Sequence, residues 1–120
     1  MLTDQQIAAF HRDGFLNSGP VLKHAEVDDI ADGLMKVIDI GPDGFAEGQP
    51  QPVSYRDLRS GADGASEHPV WQIVNIWEAS AAFHHLIYHP YIAKAISQLT
   101  DQRNLQVWHD QIQYKPADTG

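Results

Sequence analysis

Two groups of side chains in this sequence have types and spacings that could do chemistry. The first lies in N-L-Q-V-W-H-D-Q-I-Q-Y-K, residues 104–115. Read as a strand, its side chains alternate between two faces. Trp108, Ile112 and Tyr114 share one face with Gln106 and Asp110. Leu105 and Val107 begin the other, which turns polar at His109, Gln111, Gln113 and Lys115. A polar row of this kind either faces solvent, the common case on antiparallel strands, or lines a polar cavity inside a barrel; we adopt the cavity. The pair His109-Asp110 invites a metal. Adjacent strand residues point to opposite faces, however, and do not converge on one ion. A strand-borne chelate needs His-x-Asp, and these residues do not supply it. The second group is His84, His85 and His89. His85 and His89 stand four apart, the spacing of zinc-binding helices, but Pro90 interrupts the helix and no acid lies between them. We read all three as surface or interface histidines. No carboxylates are spaced as an acid–base pair on one element.

The elements that must position these residues are legible in outline. Thr3 and Gln6 make a capping box, with Leu2 and Ile7 as a hydrophobic staple. A helix is predicted over residues 4–12, with Ile7, Phe10 and His11 inward and Gly14 at its C′ position. Phe15-Leu16 begins a short strand that Ser18-Gly19-Pro20 breaks. Val27, Ile30, Leu34 and Val37 recur at helical spacing over residues 24–38, and Gly33 weakens that helix slightly. Residues 39–69 hold five glycines and four prolines. They read as a long variable loop, with a short strand or turn at 53–58. V-W-Q-I-V-N-I-W, residues 70–77, is apolar on both faces, as in a central strand covered on each side; Gln72 and Asn75 are its polar exceptions. A helix follows over 79–88 with Phe83, Leu86 and Ile87 inward. Another starts at Pro90, with Ile92, Ile96 and Leu99 inward. Trp71, Trp77 and Trp108 read as core or helix–sheet packing. Helices followed by strands indicate an α+β fold.

Composition narrows the function. The 120 residues suffice for one modest domain. A net charge of −8 disfavours nucleic acid and anionic membranes as partners. The absence of Cys excludes disulfides, thiolate catalysis and cysteine metal sites. No apolar run reaches transmembrane length, and the start M-L-T-D-Q-Q lacks the regions of a signal peptide. A cytoplasmic protein is expected.

Three stretches together resemble the phytanoyl-CoA dioxygenase family of non-haem Fe(II)/2-oxoglutarate-dependent oxygenases. They are L-T-D-Q-Q-I-A-A-F-H-R-D-G-F at residues 2–15, N-I-W at 75–77 followed by a helix and His89-Pro90, and W-H-D-Q-I-Q-Y-K-P at 108–116 with Asp118-Thr119-Gly120 after it. The resemblance implies a double-stranded β-helix, a jelly-roll barrel like the cupins, with N-terminal helices packed on its first strands. It implies Fe(II) held by His-x-Asp and a distant His, with 2-oxoglutarate as cosubstrate. The matching His-x-Asp follows the Lys-Pro strand and is not within the 120 residues, so no metal ligand is carried over. A jelly roll needs eight strands, and about three are legible. The chain therefore reads as the N-terminal part of an enzyme of roughly 200–300 residues.

Carried over residue by residue, the resemblance puts Lys115, Gln111 and Gln72 near 2-oxoglutarate, and His109 and Gln113 on the substrate side. An ammonium pairing with a carboxylate of the dianion suits Lys115. The implied activity is hydroxylation of a C–H bond in a small organic substrate. The 120 residues alone are expected to show no turnover and no tight iron binding. Two alternatives stand beside it: a related 2-oxoglutarate-dependent halogenase, and a non-catalytic module that binds a partner. Exposed strand edges would also favour a homodimer.

Overall fold

The computed structural model describes residues 1–60 and 67–117. Gly61 and Gly64 of the expected loop and the terminal Asp118-Thr119-Gly120 lie outside them. The chain folds as α1 (Asp4–Asp13), α2 (His24–Ile40), β1 (Ser54–Asp57), β2 (Trp71–Val74), a single 3-10 turn (Ile76–Glu78), α3 (Ala81–Ile87), α4 (Pro90–Thr100) and β3 (Gln111–Tyr114). It is a mixed α+β arrangement: helices pack on a small antiparallel sheet of order β1-β2-β3.

Local chemistry sets the helix ends. Thr3 and Gln6 close the expected capping box: the Thr3 N–H donates to Gln6 Oε1 (2.9 Å) and the Gln6 N–H to Thr3 Oγ1 (3.3 Å). Gly14 ends α1 at φ 80, its N–H donating to the Phe10 carbonyl. The start of α1 is tied to α4 in both directions. The Leu2 N–H donates to Gln98 Oε1 (3.1 Å), and Gln98 Nε2 donates to the Leu2 carbonyl (3.2 Å). At the start of α2, Glu26 reaches back so that Oε2 accepts the Lys23 N–H (2.8 Å).

The core lies where α2 and α3 meet the inner face of the sheet. Val37, Ile73, Ile76 and Phe83 are buried there, with Leu34, Tyr55, Trp71, Trp77 and Ile112 packed around them. Burying each aliphatic or phenyl side chain contributes about 1.5–3 kcal/mol. Gly33 lets the two helices approach closely, because a Cβ there would sit 2.8 Å from Ser80 Oγ.

Several expectations are corrected. Phe15-Leu16 forms no strand, and Phe15 is 72% exposed. The strand predicted over 70–77 stops at Val74, because Asn75 takes left-handed backbone angles (φ 57, ψ 47) and starts the 3-10 turn. Residues of α2 and α3 pack on the Ile73 face of β2, whereas Arg56, Gln111 and Gln113 beside its other face are exposed. The strand predicted over 104–115 shortens to Gln111–Tyr114. Trp108, expected in the core, lies before that strand and is 89% exposed. Val27 and Ile96, placed inward by periodicity, are exposed, as is His11.

Candidate functional site

Strand register decides which chemical side chains meet. Tyr55 pairs with Ile73, and Ile73 with Ile112. Their neighbours across the sheet are Asp57, Trp71 and Tyr114. This is the inner face, and Tyr55 and Trp71 stack edge-to-face on it at 5.1 Å. Period-two alternation sends the intervening residues outward. Arg56 pairs with Gln72 and Gln72 with Gln113, forming one row across all three strands. Ser54, Val74 and Gln111 form the next. Three of the five predicted site residues, Gln72, Gln111 and Gln113, therefore share one face. Lys115 follows Gln113 by two residues, the same-face spacing.

This face is open. Arg56, Gln111, Gln113 and Lys115 are exposed and Gln72 is half-buried. The cavity expected around them is not formed by the described residues, because three strands make a sheet rather than a closed barrel. Within it, Arg56 is held in place. Its Nε donates to Gln72 Oε1 at 2.8 Å and its Nη2 donates to the same oxygen. Arg56 was not singled out by sequence reasoning. The S-Y-R-D alternation marks it as the outward residue of a short strand, but only the pairing with β2 reveals its neighbour.

Asp57 closes the long connection between β1 and β2 from within. Its Oδ1 accepts the N–H groups of Arg59 (2.9 Å) and Val70 (3.0 Å). The register of β1 on β2, and hence the Arg56–Gln72 contact, is fixed partly by this side chain.

His109 does not join the polar face. It lies in the extended segment before β3 and lines a groove of about 620 Å³ with Trp77, Tyr88, Ile92, Ile96 and Trp108. Next to it Asp110 enters the ladder, its carbonyl accepting the Asn75 N–H at 3.0 Å. Burial pushes the Asp110 carboxyl above its ordinary range, while the backbone N–H groups of Trp77 and Ile76 and the charge of His109 pull the other way. Asp110 Oδ1 and Asn75 Oδ1 are both buried without a hydrogen-bond partner. The Tyr55 hydroxyl is likewise buried and unpaired, and burial with the nearby charge of Asp39 raises its pKa to about 12.

The histidines are placed apart from the sheet. His85 is in the last turn of α3, and His89 precedes Pro90 as the cap of α4. His89 Nε2 lies 3.3 Å from Glu26 Oε1, and both His85 and His89 line a cavity of about 160 Å³ beside α2. The Glu26 carboxyl is held below its usual range, first by the Lys23 N–H and then, against some desolvation, by His89. Among the described residues, no three His, Cys, Asp or Glu side chains are placed to hold a metal ion. No helix among them is long and apolar enough to cross a membrane. No family model, curated protein or solved structure matches the chain.

Proposed function

We propose that this chain is the N-terminal portion of a non-haem Fe(II)/2-oxoglutarate-dependent oxygenase of the phytanoyl-CoA dioxygenase type, acting in the cytoplasm on a small organic molecule. Its three strands would be the first strands of the barrel, and their outer face the wall that meets 2-oxoglutarate. The observation that carries this reading is the alignment of Gln72, Gln111 and Gln113 on one sheet face, two residues from Lys115. Glutamine amides and an ammonium are the donors an oxyacid requires, and a sheet places them at fixed intervals.

The described residues do not fit iron, since they offer no ligand set. The part of this chain is to bind and orient the oxyacid. Lys115 supplies charge, and the glutamine amides supply directional hydrogen bonds. An open face exposes these donors to water, which weakens each contact. Affinity in these residues alone is therefore expected to be low.

The test is a titration of the 120-residue chain with 2-oxoglutarate, followed by the NMR signals of the glutamine side-chain amides. Signals of Gln72, Gln111 and Gln113 should shift saturably, and Lys115→Ala should weaken binding about tenfold. Absence of any shift at about 10 mM, beyond the weak end of specific binding, refutes the reading.

The sheet itself favours a second reading. Within the described residues β1 and β3 are both edge strands, and unpaired edges recruit further strands. A non-catalytic module would use an edge to bind a partner. A stable monomer with no response to 2-oxoglutarate supports that module, whereas a strand-paired dimer that binds the oxyacid supports the oxygenase.

A further inference from the structure

We propose that Arg56 is a second cationic anchor of the outer sheet face, and that with Lys115 it selects a dicarboxylate over a monocarboxylate. The inference rests on the oxyacid reading above and deepens it. Sequence reasoning assigned the charge of this face to Lys115 alone. The register adds Arg56, in line with Gln72 and Gln113 across the sheet.

Arg56 is exposed, but its contact with Gln72 restrains it as an anchor. Its Nε and Nη2 both donate to Gln72 Oε1. An amide oxygen restrains the guanidinium without neutralising it, as a carboxylate would. The remaining N–H groups stay available for an anion. The sheet residues on this face, Ser54, Arg56, Gln72, Val74, Gln111 and Gln113, include no acid, although the chain has 16 Asp and Glu against 8 Lys and Arg. Asp57, next in sequence, falls on the opposite face and accepts the Arg59 and Val70 N–H groups.

Spacing sets the ligand class. Neighbouring strands lie about 4.8 Å apart, so the backbones of Arg56 and Gln113 are separated by about 10 Å. Lys115 continues from Gln113. Two long cationic side chains at the two sides of this row can each take one end of a short dicarboxylate, with the Gln72 and Gln113 amides between them. The planar guanidinium matches a carboxylate in two parallel hydrogen bonds, and the ammonium acts as a point charge. A monocarboxylate leaves one cation unmatched.

The experiment is calorimetric titration of the chain with 2-oxoglutarate, glutarate and 2-oxobutyrate, for the wild type, Arg56→Ala, Arg56→Lys and Gln72→Glu. The wild type should bind both dicarboxylates about tenfold or more tightly than 2-oxobutyrate. Arg56→Ala should erase that ratio by weakening both dicarboxylates, and Arg56→Lys should restore part of it. Gln72→Glu places a carboxylate against the guanidinium and should likewise lower the ratio of dicarboxylate to monocarboxylate binding, with an unaltered circular dichroism spectrum. If the wild type binds 2-oxoglutarate while Arg56→Ala and Gln72→Glu keep the full ratio, the role of Arg56 is overturned and the oxyacid site stands. If the wild type binds none of the three acids, the oxyacid reading falls and this inference with it.

Discussion

Substituting Gly33 by Ala sets two opposed effects against each other. Gly33 lies inside α2, where Ala is favoured over Gly by about 1 kcal/mol. On helix propensity alone, Gly33→Ala stabilises the protein. The packing says otherwise. The new Cβ would lie 2.8 Å from Ser80 Oγ and 3.2 Å from the Ala82 Cβ, with Phe83 Cδ2 at 3.9 Å. Ser80 and Phe83 are buried, at 9% and 3% exposure. Relief requires the Ser80 hydroxyl to turn away and the Ala82 Cβ, fixed to α3, to give by a few tenths of an ångström, which loosens Phe83 in the core. Overpacking of this kind costs about 1–3 kcal/mol, so the expected net loss is about 1 kcal/mol. A double-mutant cycle with Ser80→Ala isolates the cause, because the Ser80 side chain caps no helix N–H. Removing Oγ deletes the shortest contact, and the cost of Gly33→Ala should fall by about 1 kcal/mol in that background. Urea unfolding of the four proteins measures both quantities. If Gly33→Ala raises stability by the propensity increment, or the two substitutions are additive, the close approach of α2 and α3 is refuted.

Three further outcomes follow from two buried polar groups, Tyr55 and Asp110. Replacing Tyr55 by Phe removes a buried, unpaired hydroxyl and keeps the ring against Trp71; stability should rise by up to about 1 kcal/mol, and a loss would show that the hydroxyl has a partner. Because the folded-state pKa of Tyr55 is raised to about 12 from 10.0, its contribution is complete below the unfolded value and is lost as pH rises through about 12. Alkaline titration of phenolate absorbance checks this, and ionisation of Tyr55 near its ordinary value would refute it. The folded Asp110 carboxyl is also raised. Its contribution is complete below the ordinary 3.8 and disappears as pH climbs through the raised value. Asp110→Asn should remove that pH dependence and be the more stable protein at neutral pH in denaturant unfolding; a less stable variant there contradicts the assignment.

Legibility in the sequence followed the range of the forces involved. The Thr3–Gln6 box and the Gly14 terminus involve neighbours within one turn, and both form as read. The start of α4 at Pro90 is local for the same reason. Errors appear where distant residues decide. The apolar run over 70–77 looks like one strand, yet Asn75 turns out of the ladder into a 3-10 turn whose first residue, Ile76, is buried in the core. Trp108 is large and apolar, but the segment that carries it reaches the sheet only at Asp110. Gly33 reads as a defect in α2 until α3 is seen against it. The outer-face residues of β3 were legible through alternation, because Gln111 and Gln113 belong to one strand. Their partners Gln72 and Arg56 come from other strands, and pairing register has no signature in a single sequence. The split of His109 from that group has the same origin: alternation groups it with Gln111, but the ladder begins after it.

The two faces of the small sheet are separable targets for change. Residues 54, 56, 72, 111 and 113 can vary in charge and length without disturbing Tyr55, Ile73 or Ile112, which point at the helices. The chemistry of the outer face could therefore drift by single substitutions at little cost in folding. An insertion of one residue just before Gln111 would do the reverse, turning two amides toward oil and an isoleucine and a tyrosine toward water. Such a sheet would tolerate exchanges readily and length changes hardly at all.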